Sequence, residues 1–405
     1  MVRIPALALL TGLVLLPSGS GAQVAVPPLG GVLGRLDATV GSTLGVADRT
    51  LRSAADLVRD RTERLARFVV RNHATVEYDA QRQPARRGEL VLLDPTADDL
   101  RVAAAAGFAI VAQGSIDGLD TPYAQLAVPE RMPLSRAEPA LRRLLPHAEI
   151  TADHIYFPSG SAVPVSGPSR GAPVLPRGGT IGVIDGGVPA GGIVAGQAGF
   201  ATGAPRPDAH AQAIRSLLSG AGTARLYVAD VYGADPAGGN ALALARALGW
   251  MIRQEVPVVS ISLVGPANPL VRRAVDQARA KGLIVVAAVG NDGPAAPAAY
   301  PASYPGVIAV TGVDRQNRLL FEAGRAAHLD YAAPGADLTA IGLGGRRVAL
   351  RGTSFAAPLA AARIAAHRAR QATSAAALQA ADAEAQARGP RFGRGILCSG
   401  CRSGA

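Results

Sequence analysis

Three side chains of different chemistry stand where the sequence predicts a strand to end or a helix to begin. Asp185 directly follows the apolar run 181–184, His210 opens a helix-like run, and Ser354 begins an alanine-rich helix. A serine hydroxyl is a weak nucleophile at neutral pH and needs a base, and histidine is the side chain whose pKa suits that task. A carboxylate that fixes the imidazole tautomer completes such a group. We therefore take these three residues as the candidate catalytic group.

The surroundings of Ser354 favour it over the other serines as a nucleophile. Gly352 lets another backbone approach closely. A helix that begins at this point exposes unpaired N–H groups, which favour negative charge on a substrate carbonyl oxygen. A second match, the G-x-S-x-G of residues 167–171 around Ser169, has a proline and loop-forming residues where a strand and a helix are required. We discard that match.

The elements that must position these side chains alternate between strands and helices from Thr180 onwards. Continuous apolar runs predict strands that are covered on both faces, at 180–184, 225–229, 257–261, 283–289 and 307–311. Asn240 can cap one intervening helix, and Asn268 with Pro269 can open another. This pattern predicts an α/β fold with a doubly wound parallel sheet, whose functional residues lie at the carboxyl ends of the strands.

A small α+β unit is predicted upstream. Strands are expected at 89–94, 108–113, 125–128 and 149–151, a helix capped by Thr96 ends at Gly107, and a second helix starts with a capping box of Ser135 and Glu138. The order β-α-β-β-α-β is the split βαβ pattern. Residues 47–72 predict a basic amphipathic helix that docks on the protein or contacts a membrane surface.

Composition narrows the class of protein. The chain has 405 residues and a net charge of +11, but lysine occurs once and the arginines are spread along the chain, so no nucleic-acid partner is expected. Residues 1–22 have the charged start, short apolar run and small residues of a secretory signal, which predicts a secreted or periplasmic protein. Cys398 and Cys401 lack further zinc ligands nearby, so we expect a local disulfide.

Residues 180 to about 370 resemble the subtilisin-like serine proteases, the subtilase family. Residues 352–358 match the serine motif G-T-S-x-A-x-P, residues 183–188 are similar to the aspartate motif, and residues 287–293 are similar to the segment that completes the oxyanion hole. The resemblance implies that Ser354 is the nucleophile, His210 its base, Asp185 the residue that orients His210, and Asn291 an oxyanion donor.

The resemblance also implies a substrate-binding strand and a side-chain pocket. Residues 260–265 would pair with an extended substrate, and the binding residues expected are Ser262, Leu263, Val264, Ala288 and Gly290. The small residues 287–290 and 299 would form a neutral, apolar pocket that holds the side chain before the cut bond. No cofactor, metal or calcium loop is expected.

Two departures from the family pattern bear on activity. The histidine motif reads His210-Ala211-Gln212 instead of His-Gly-Thr, and the longer Gln212 could displace the imidazole. Gly186 stands where the family has Ser or Thr, which removes a hydrogen bond near Asp185. A catalytically weak protein that binds peptides or partners is therefore the alternative, and covalent labelling by a fluorophosphonate distinguishes the two.

The small upstream unit is similar in position and pattern to the inhibitory propeptides of subtilases. We predict a secreted serine endopeptidase, made as a zymogen that cuts itself between about residues 155 and 172, with polypeptide substrates and its own propeptide-like domain as partners. The predicted domains are a signal peptide at 1–22, a leader and basic helix at 23–88, the propeptide-like domain at 89–156, a linker at 157–179, the catalytic domain at 180–372 and a C-terminal helix and tail at 373–405.

Overall fold

The computed structural model describes residues 54–164 and 178–402, which begin with an amphipathic helix, α1, over residues 54–71. The predicted signal peptide and leader, and the discarded serine Ser169, lie outside these residues. Leu65 of α1 is buried, and Phe68 and Val69 pack against the buried side chains of Val76, Ile155 and Ala237. In the part of the chain described, no helix is both long enough and apolar enough to cross a membrane.

A small antiparallel sheet with two helices follows α1. Its elements are β1 (Val76–Tyr78), β2 (Pro84–Leu93), α2 (Ala97–Ala105), β3 (Ala109–Ile116), β4 (Thr121–Ala127), α3 (Leu134–Leu144) and β5 (Glu149–His154). The strand order is β1-β2-β4-β3, with β5 also paired to β2. The sheet thus begins earlier than the expected boundary at residue 89, because β1 and the first half of β2 precede it.

The two helices of this unit begin differently from each other. Thr96 accepts a hydrogen bond from Asp99 N, and the Asp99 carboxylate accepts one from Thr96 N, which is the reciprocal capping arrangement. The predicted capping box of α3 is wrong. Pro133 occupies its N-cap without a side-chain hydrogen bond, and Glu138 pairs instead with Arg142 one turn later.

The segment predicted as a linker contains two short strands. Residues Phe157–Pro158 form β6, and Ser161–Pro164 form β7. Each pairs with a strand that lies far along the chain, β12 (Leu263–Val264) and β17 (Arg347–Arg351) respectively. Proline, glycine and serine are poor strand formers locally, so non-local pairing overrides the local preference here.

The larger sheet has seven strands: β8 (Thr180–Asp185), β9 (Val194–Gly199), β10 (Arg225–Asp230), β11 (Val258–Ile261), β13 (Ile284–Ala288), β14 (Ile308–Val313) and β15 (Tyr331–Pro334). Their order is β15-β14-β13-β11-β8-β10-β9, and neighbouring strands are parallel throughout. Together with the small α+β unit upstream, this sheet confirms the predicted fold class.

Helices cover both faces of this sheet. They are α4 (Ala209–Gly220), α5 (Ala241–Arg253), α6 (Pro269–Ala280), α7 (Thr353–Arg368) and α8 (Ser374–Glu384). Alternate residues of β13 divide between two cores, because successive side chains of a strand point to opposite faces. Val286 and Ala288 join the core with α4 and α7, whereas Val285 and Ala287 join the core with α5 and α6.

Two further contacts complete the frame around the site. The small upstream sheet packs on the α5 and α6 side, where Val91, Leu93 and Tyr123 share a core with those helices. On the other side, β16 (Leu338–Ile341) pairs with β17. Near the C-terminus, Cys398 and Cys401 form a disulfide and are both buried, as expected for a local bridge.

Candidate active site

The three candidate catalytic residues come from two helices and one strand that meet at the carboxyl edge of the large sheet. Asp185 is the last residue of β8, His210 lies in the first turn of α4, and Ser354 lies in the first turn of α7. Asp208 caps α4 by accepting hydrogen bonds from His210 N at 2.8 Å and Ala211 N at 3.1 Å. This cap fixes where α4 begins, and so fixes the position of the imidazole.

The side chains form a continuous hydrogen-bonded chain. His210 Nδ1 lies 3.0 Å from both carboxylate oxygens of Asp185, and His210 Nε2 lies 2.8 Å from Ser354 Oγ. A carboxylate only accepts hydrogen bonds, so Nδ1 carries the proton and Nε2 is free to accept one from the serine hydroxyl. Asp185 and Ser354 are fully buried, and 12% of the His210 side chain is exposed.

Burial and nearby charge act in opposite directions on the pKa of His210. Burial alone would lower it, but the negative charge of Asp185, its hydrogen bond to the ring and the charge of Asp208 together raise the pKa above its ordinary value of 6.5. A base must be neutral to accept a proton, so its useful form increases as the pH rises through this elevated pKa.

The structure explains why position 186 holds a glycine, which the sequence alone did not. A Cβ on this residue would lie 2.5 Å from the Cβ of Asp208, so a serine would not fit beside the helix cap. The backbone N–H of Gly186 donates to Asp185 Oδ1 at 2.8 Å. Asp185 therefore keeps a hydrogen bond at this point, although the family's hydroxyl is missing.

Gln212 does not reach the imidazole. Its side chain is mostly buried, its Nε2 donates to the Ile341 carbonyl oxygen at 3.0 Å, and its Oε1 accepts from Arg215 at 3.2 Å. The expectation that Gln212 shifts the imidazole is therefore not supported, because the amide points away from the ring and ties α4 to β16. Ala211 is buried, and its methyl group is accommodated in the core around α4 and α7.

The protein's own backbone lies at the position where the resemblance implies an oxyanion. Ser354 N donates to the carbonyl oxygen of Ser159 at 3.1 Å. The Asn291 side chain is oriented by Thr353 N, which donates to Asn291 Oδ1 at 3.0 Å and leaves the Nδ2 group as the side chain's donor. A Cβ on Gly352 would lie 2.7 Å from this Nδ2 and 3.0 Å from the Ser159 oxygen, so only glycine allows the approach.

The segment before and after Ser159 lies across the site as an extended strand. On one side, Pro158 pairs with Leu263 and Phe157 with Val264, and Ser159 N donates to the Ser262 oxygen at 3.4 Å. On the other side, residues 161–164 pair with residues 348–351 of β17. Gly160 lies directly over the candidate nucleophile, since a Cβ there would be 2.2 Å from Ser354 Oγ.

The predicted binding residues divide into three groups. Leu263 and Val264 form the strand that pairs with β6, and Ser262 contributes its backbone oxygen while its hydroxyl donates to Ser354 O at 2.8 Å. Gly290 lines the neighbouring cavity. Ala288 is fully buried in the core and is not among the residues that line the cavity, because its position on β13 directs it towards α4 and α7.

A cavity of about 550 Å³ opens beside Ser159. Its walls include the apolar residues 289–290 and 296–300, as the sequence suggested in part, but also residues that it did not: Arg61, Arg64, Asp292, Glu322 and Arg351. The lining therefore contains charged side chains as well as apolar ones. Asp292 follows Asn291 directly, and its position beside the oxyanion amide was the available signal in the sequence.

Among the residues that the structure describes, one group of side chains has atoms close enough together to hold a metal ion. Asp185, Asp208 and His210 each place a ligand atom within 4.8 Å of the others. Their hydrogen bonds account for the arrangement, because Asp185 holds the imidazole and Asp208 caps α4. We therefore infer no metal from this group.

Comparisons with known proteins agree with the fold. Residues 187–387 match the model of the subtilase family, a range that includes His210, Asn291 and Ser354 and begins two residues after Asp185. Subtilisin BL of Lederbergia lenta is 35% identical over 143 residues, which cover 35% of this chain and 52% of that protein. Subtilisin E of Bacillus subtilis is 32% identical over 146 residues, which cover 35% of this chain and 38% of that protein.

Solved structures extend the likeness of fold upstream of the matched range. Fervidolysin from Fervidobacterium pennivorans superposes with a TM-score of 0.63 and 14% identity, over 78% of this chain and 61% of that one. The epidermin leader peptide processing serine protease of Staphylococcus aureus superposes with a TM-score of 0.60 and 15% identity, over 78% of this chain and 99% of that one.

The match to the family model, the relatives at about one third identity and the shared fold have one common explanation. The chain spans about half or less of the length of the two curated relatives named, so the comparison concerns the family rather than the activity of any one member. Residues 187–387 are thus a domain of the subtilase family of subtilisin-like proteins.

Proposed function

We propose that this protein is a serine endopeptidase that hydrolyses polypeptides through an acyl-enzyme. One observation carries the proposal: His210 bridges Asp185 and Ser354 with both ring nitrogens, while Ser354 N donates to the carbonyl oxygen of a peptide laid across the site. Nucleophile, base, orienting carboxylate and oxyanion donor thus surround one peptide bond.

The proposed reaction has two half-reactions, and the same groups act in both. Ser354 Oγ attacks the carbonyl carbon, its proton passes to His210 Nε2, and the oxyanion is held by Ser354 N and Asn291 Nδ2. The C–N bond then breaks as His210 gives this proton to the leaving amine, which leaves an ester on Ser354. Water then attacks the ester as His210 takes its proton, and His210 returns that proton to Ser354 Oγ as the C–O bond breaks and the acid is released. Asp185 stabilises the imidazolium throughout.

We further propose that the protein cuts itself between Ser159 and Gly160. The Ser159 oxygen accepts from Ser354 N, and Gly160 lies against Ser354 Oγ. Strand pairing on both sides, to β12 and to β17, holds the bond in extended geometry. The proposal narrows the range of 155–172 expected from the sequence to one bond, and makes residues before 160 the propeptide.

The proposal on location follows from the sequence and the relatives. The N-terminal segment 1–22 has the features of a secretory signal, and one Bacillus subtilis relative, 33% identical over 128 residues, is described as an extracellular protease. We propose export from the cytoplasm. Detecting the processed protein outside the cytoplasm after cell fractionation would support this, and finding it only in the cytoplasm would contradict it.

A comparison of Ser354→Ala with wild type tests both the catalysis and the self-processing. Wild type should yield two fragments, of which the C-terminal one begins at Gly160, and should react with a fluorophosphonate at Ser354. Ser354→Ala should stay full length and unlabelled. Ser115→Ala, which removes a hydroxyl from an exposed position on β3, is the matched control and should behave as wild type.

The same experiment separates the enzyme from the alternative, a protein that only binds peptides. Full-length wild-type protein that never processes, hydrolyses no peptide and takes up no fluorophosphonate would refute the proposed function. Processing of Ser354→Ala at the same bond would show that another protease makes the cut, and would refute the self-cleavage.

A further inference from the structure

The cavity beside Ser159 is larger than the side chain that faces it. Ser159 Oγ is buried and has no hydrogen-bond partner among the described residues, and the adjoining space measures about 550 Å³. A serine occupies little of such a volume. The pocket next to the proposed cut bond is therefore built for a longer side chain than the one found there in the precursor.

The charged residues in this cavity fall into two sets with different partners. Glu322 is paired by Arg351, which makes contacts of 2.8 Å to each carboxylate oxygen, and both residues lie after the proposed cut. Asp292 is held by two guanidinium groups of α1, Arg61 at 3.0 Å and Arg64 at 2.6 Å. These are its ion-pair partners within residues 54–164 and 178–402.

The helix that supplies these guanidinium groups precedes the proposed cut. It rests on the cavity wall at Gly293, where a Cβ would lie 2.7 Å from Leu57 Cδ1, and on β6 through an edge-to-face contact of Phe68 with Phe157 at 5.0 Å. Processing followed by release of residues before 160 removes α1 from the protein. Asp292 then loses both of its cations, while Glu322 keeps Arg351.

We propose that Asp292 is a specificity-determining residue that selects a basic side chain, arginine or lysine, at the residue before the cut bond; this inference rests on the proposed function. In the precursor, Arg61 and Arg64 supply the positive charge that such a side chain would bring to Asp292. Release of α1 takes away both cations and leaves the Asp292 carboxylate at the wall of the pocket with no ion pair to a described residue after the cut. A substrate cation that satisfies it should therefore be preferred, by about 10- to 100-fold over a neutral side chain of the same shape.

The serine at the precursor's own cut bond is consistent with this selection. Tethering presents Ser159 at a very high effective concentration, so an intramolecular cut does not need the binding energy of the pocket. A separate substrate lacks that advantage and depends on the contacts it makes. Selection by Asp292 is therefore expected in cleavage of other chains and not in self-processing.

The experiment starts from the full-length protein and uses it once self-processing is complete. Peptides that differ only in the residue before the cut, with arginine, citrulline, lysine or methionine there, are compared by kcat/KM. Citrulline keeps the shape of arginine and lacks its charge. We expect the ratio for arginine over citrulline to be about 10 or more in wild type, and to fall close to 1 in Asp292→Asn. Asp276→Asn on α6 is the matched control and should keep the wild-type ratio.

The outcomes separate the inference from the function on which it rests. A wild-type ratio near 1, with peptides still cleaved, would overturn the specificity and leave the proposed function intact. No cleavage of any peptide, with no fluorophosphonate label on Ser354, would overturn both. If Asp292→Asn fails to fold or process, competitive inhibition of wild type by benzamidine gives the answer. Inhibition that is stronger than by neutral benzamide supports the carboxylate, and equal inhibition by the two contradicts it.

Discussion

A single methyl group at position 160 should stop self-processing. In the structure, a Cβ on Gly160 would lie 2.2 Å from Ser354 Oγ and 2.9 Å from the Phe355 ring, whereas real contacts of this kind stay above 3.0 Å. In Gly160→Ala the hydroxyl and the peptide must therefore separate by about a further 0.8 Å. A displacement of about 1 Å from attack geometry costs roughly a hundredfold in rate. We expect Gly160→Ala to process about 100 times more slowly than wild type.

The assay is the rate at which full-length protein disappears on a denaturing gel, together with the N-terminal sequence of the product. Ser161→Ala is the control, because the Ser161 side chain is exposed and its hydroxyl contacts Arg351 O, not Ser354. Mature wild-type protein should also cut a peptide of residues 154–163 more slowly when alanine replaces Gly160. Processing of Gly160→Ala at the wild-type rate and at the same bond would refute this placement of the segment.

Three further predictions concern the surroundings of this bond. Asp208→Asn keeps a helix cap but removes an exposed charge within 4.8 Å of the His210 ring, worth about 0.9 kcal/mol in water, so the acidic limb of a pH profile of kcat/KM should move down by about 0.7 pH unit; an unchanged limb would contradict the electrostatic assignment. Asn291→Ala should lower kcat on peptides about 10²- to 10³-fold, and a loss below tenfold would exclude its amide as an important oxyanion donor. Replacing Arg61 and Arg64 together by alanine should speed hydrogen exchange of α1 about fivefold in the unprocessed protein, since partly exposed pairs contribute about 1 kcal/mol; equal exchange would mean that apolar contacts alone hold α1.

The elements that carry the site could be predicted because their signals are local. The apolar run before Asp185, the helix caps at Asn240 and Asn268, and the glycine before Ser354 each act within a few residues of the chain. A continuous apolar strand must be covered on both faces, which fixes the fold class, and the parallel sheet then brings strand ends to one edge.

The substrate-like segment could not be predicted in the same way. Proline, glycine and serine between residues 157 and 164 indicate a loop, and the partners that convert it to strands lie about 100 and 190 residues further on. The ion pairs of Asp292 could not be predicted for a similar reason, since their arginines come from a helix more than 200 residues before it. The effect of Gln212 was misjudged because its hydrogen-bond partner, the Ile341 carbonyl, is also distant.

The two sides of the proposed cut bond are anchored on separate strands, β6 on β12 and β7 on β17. Hydrolysis therefore breaks one covalent link and none of the backbone pairing that holds either end. A freshly cut molecule is still blocked by its own products. The onset of activity towards other proteins would then follow the first-order dissociation of the segment before residue 160. The delay before this onset would not shorten at higher protein concentration until free enzyme begins to digest the dissociated segment.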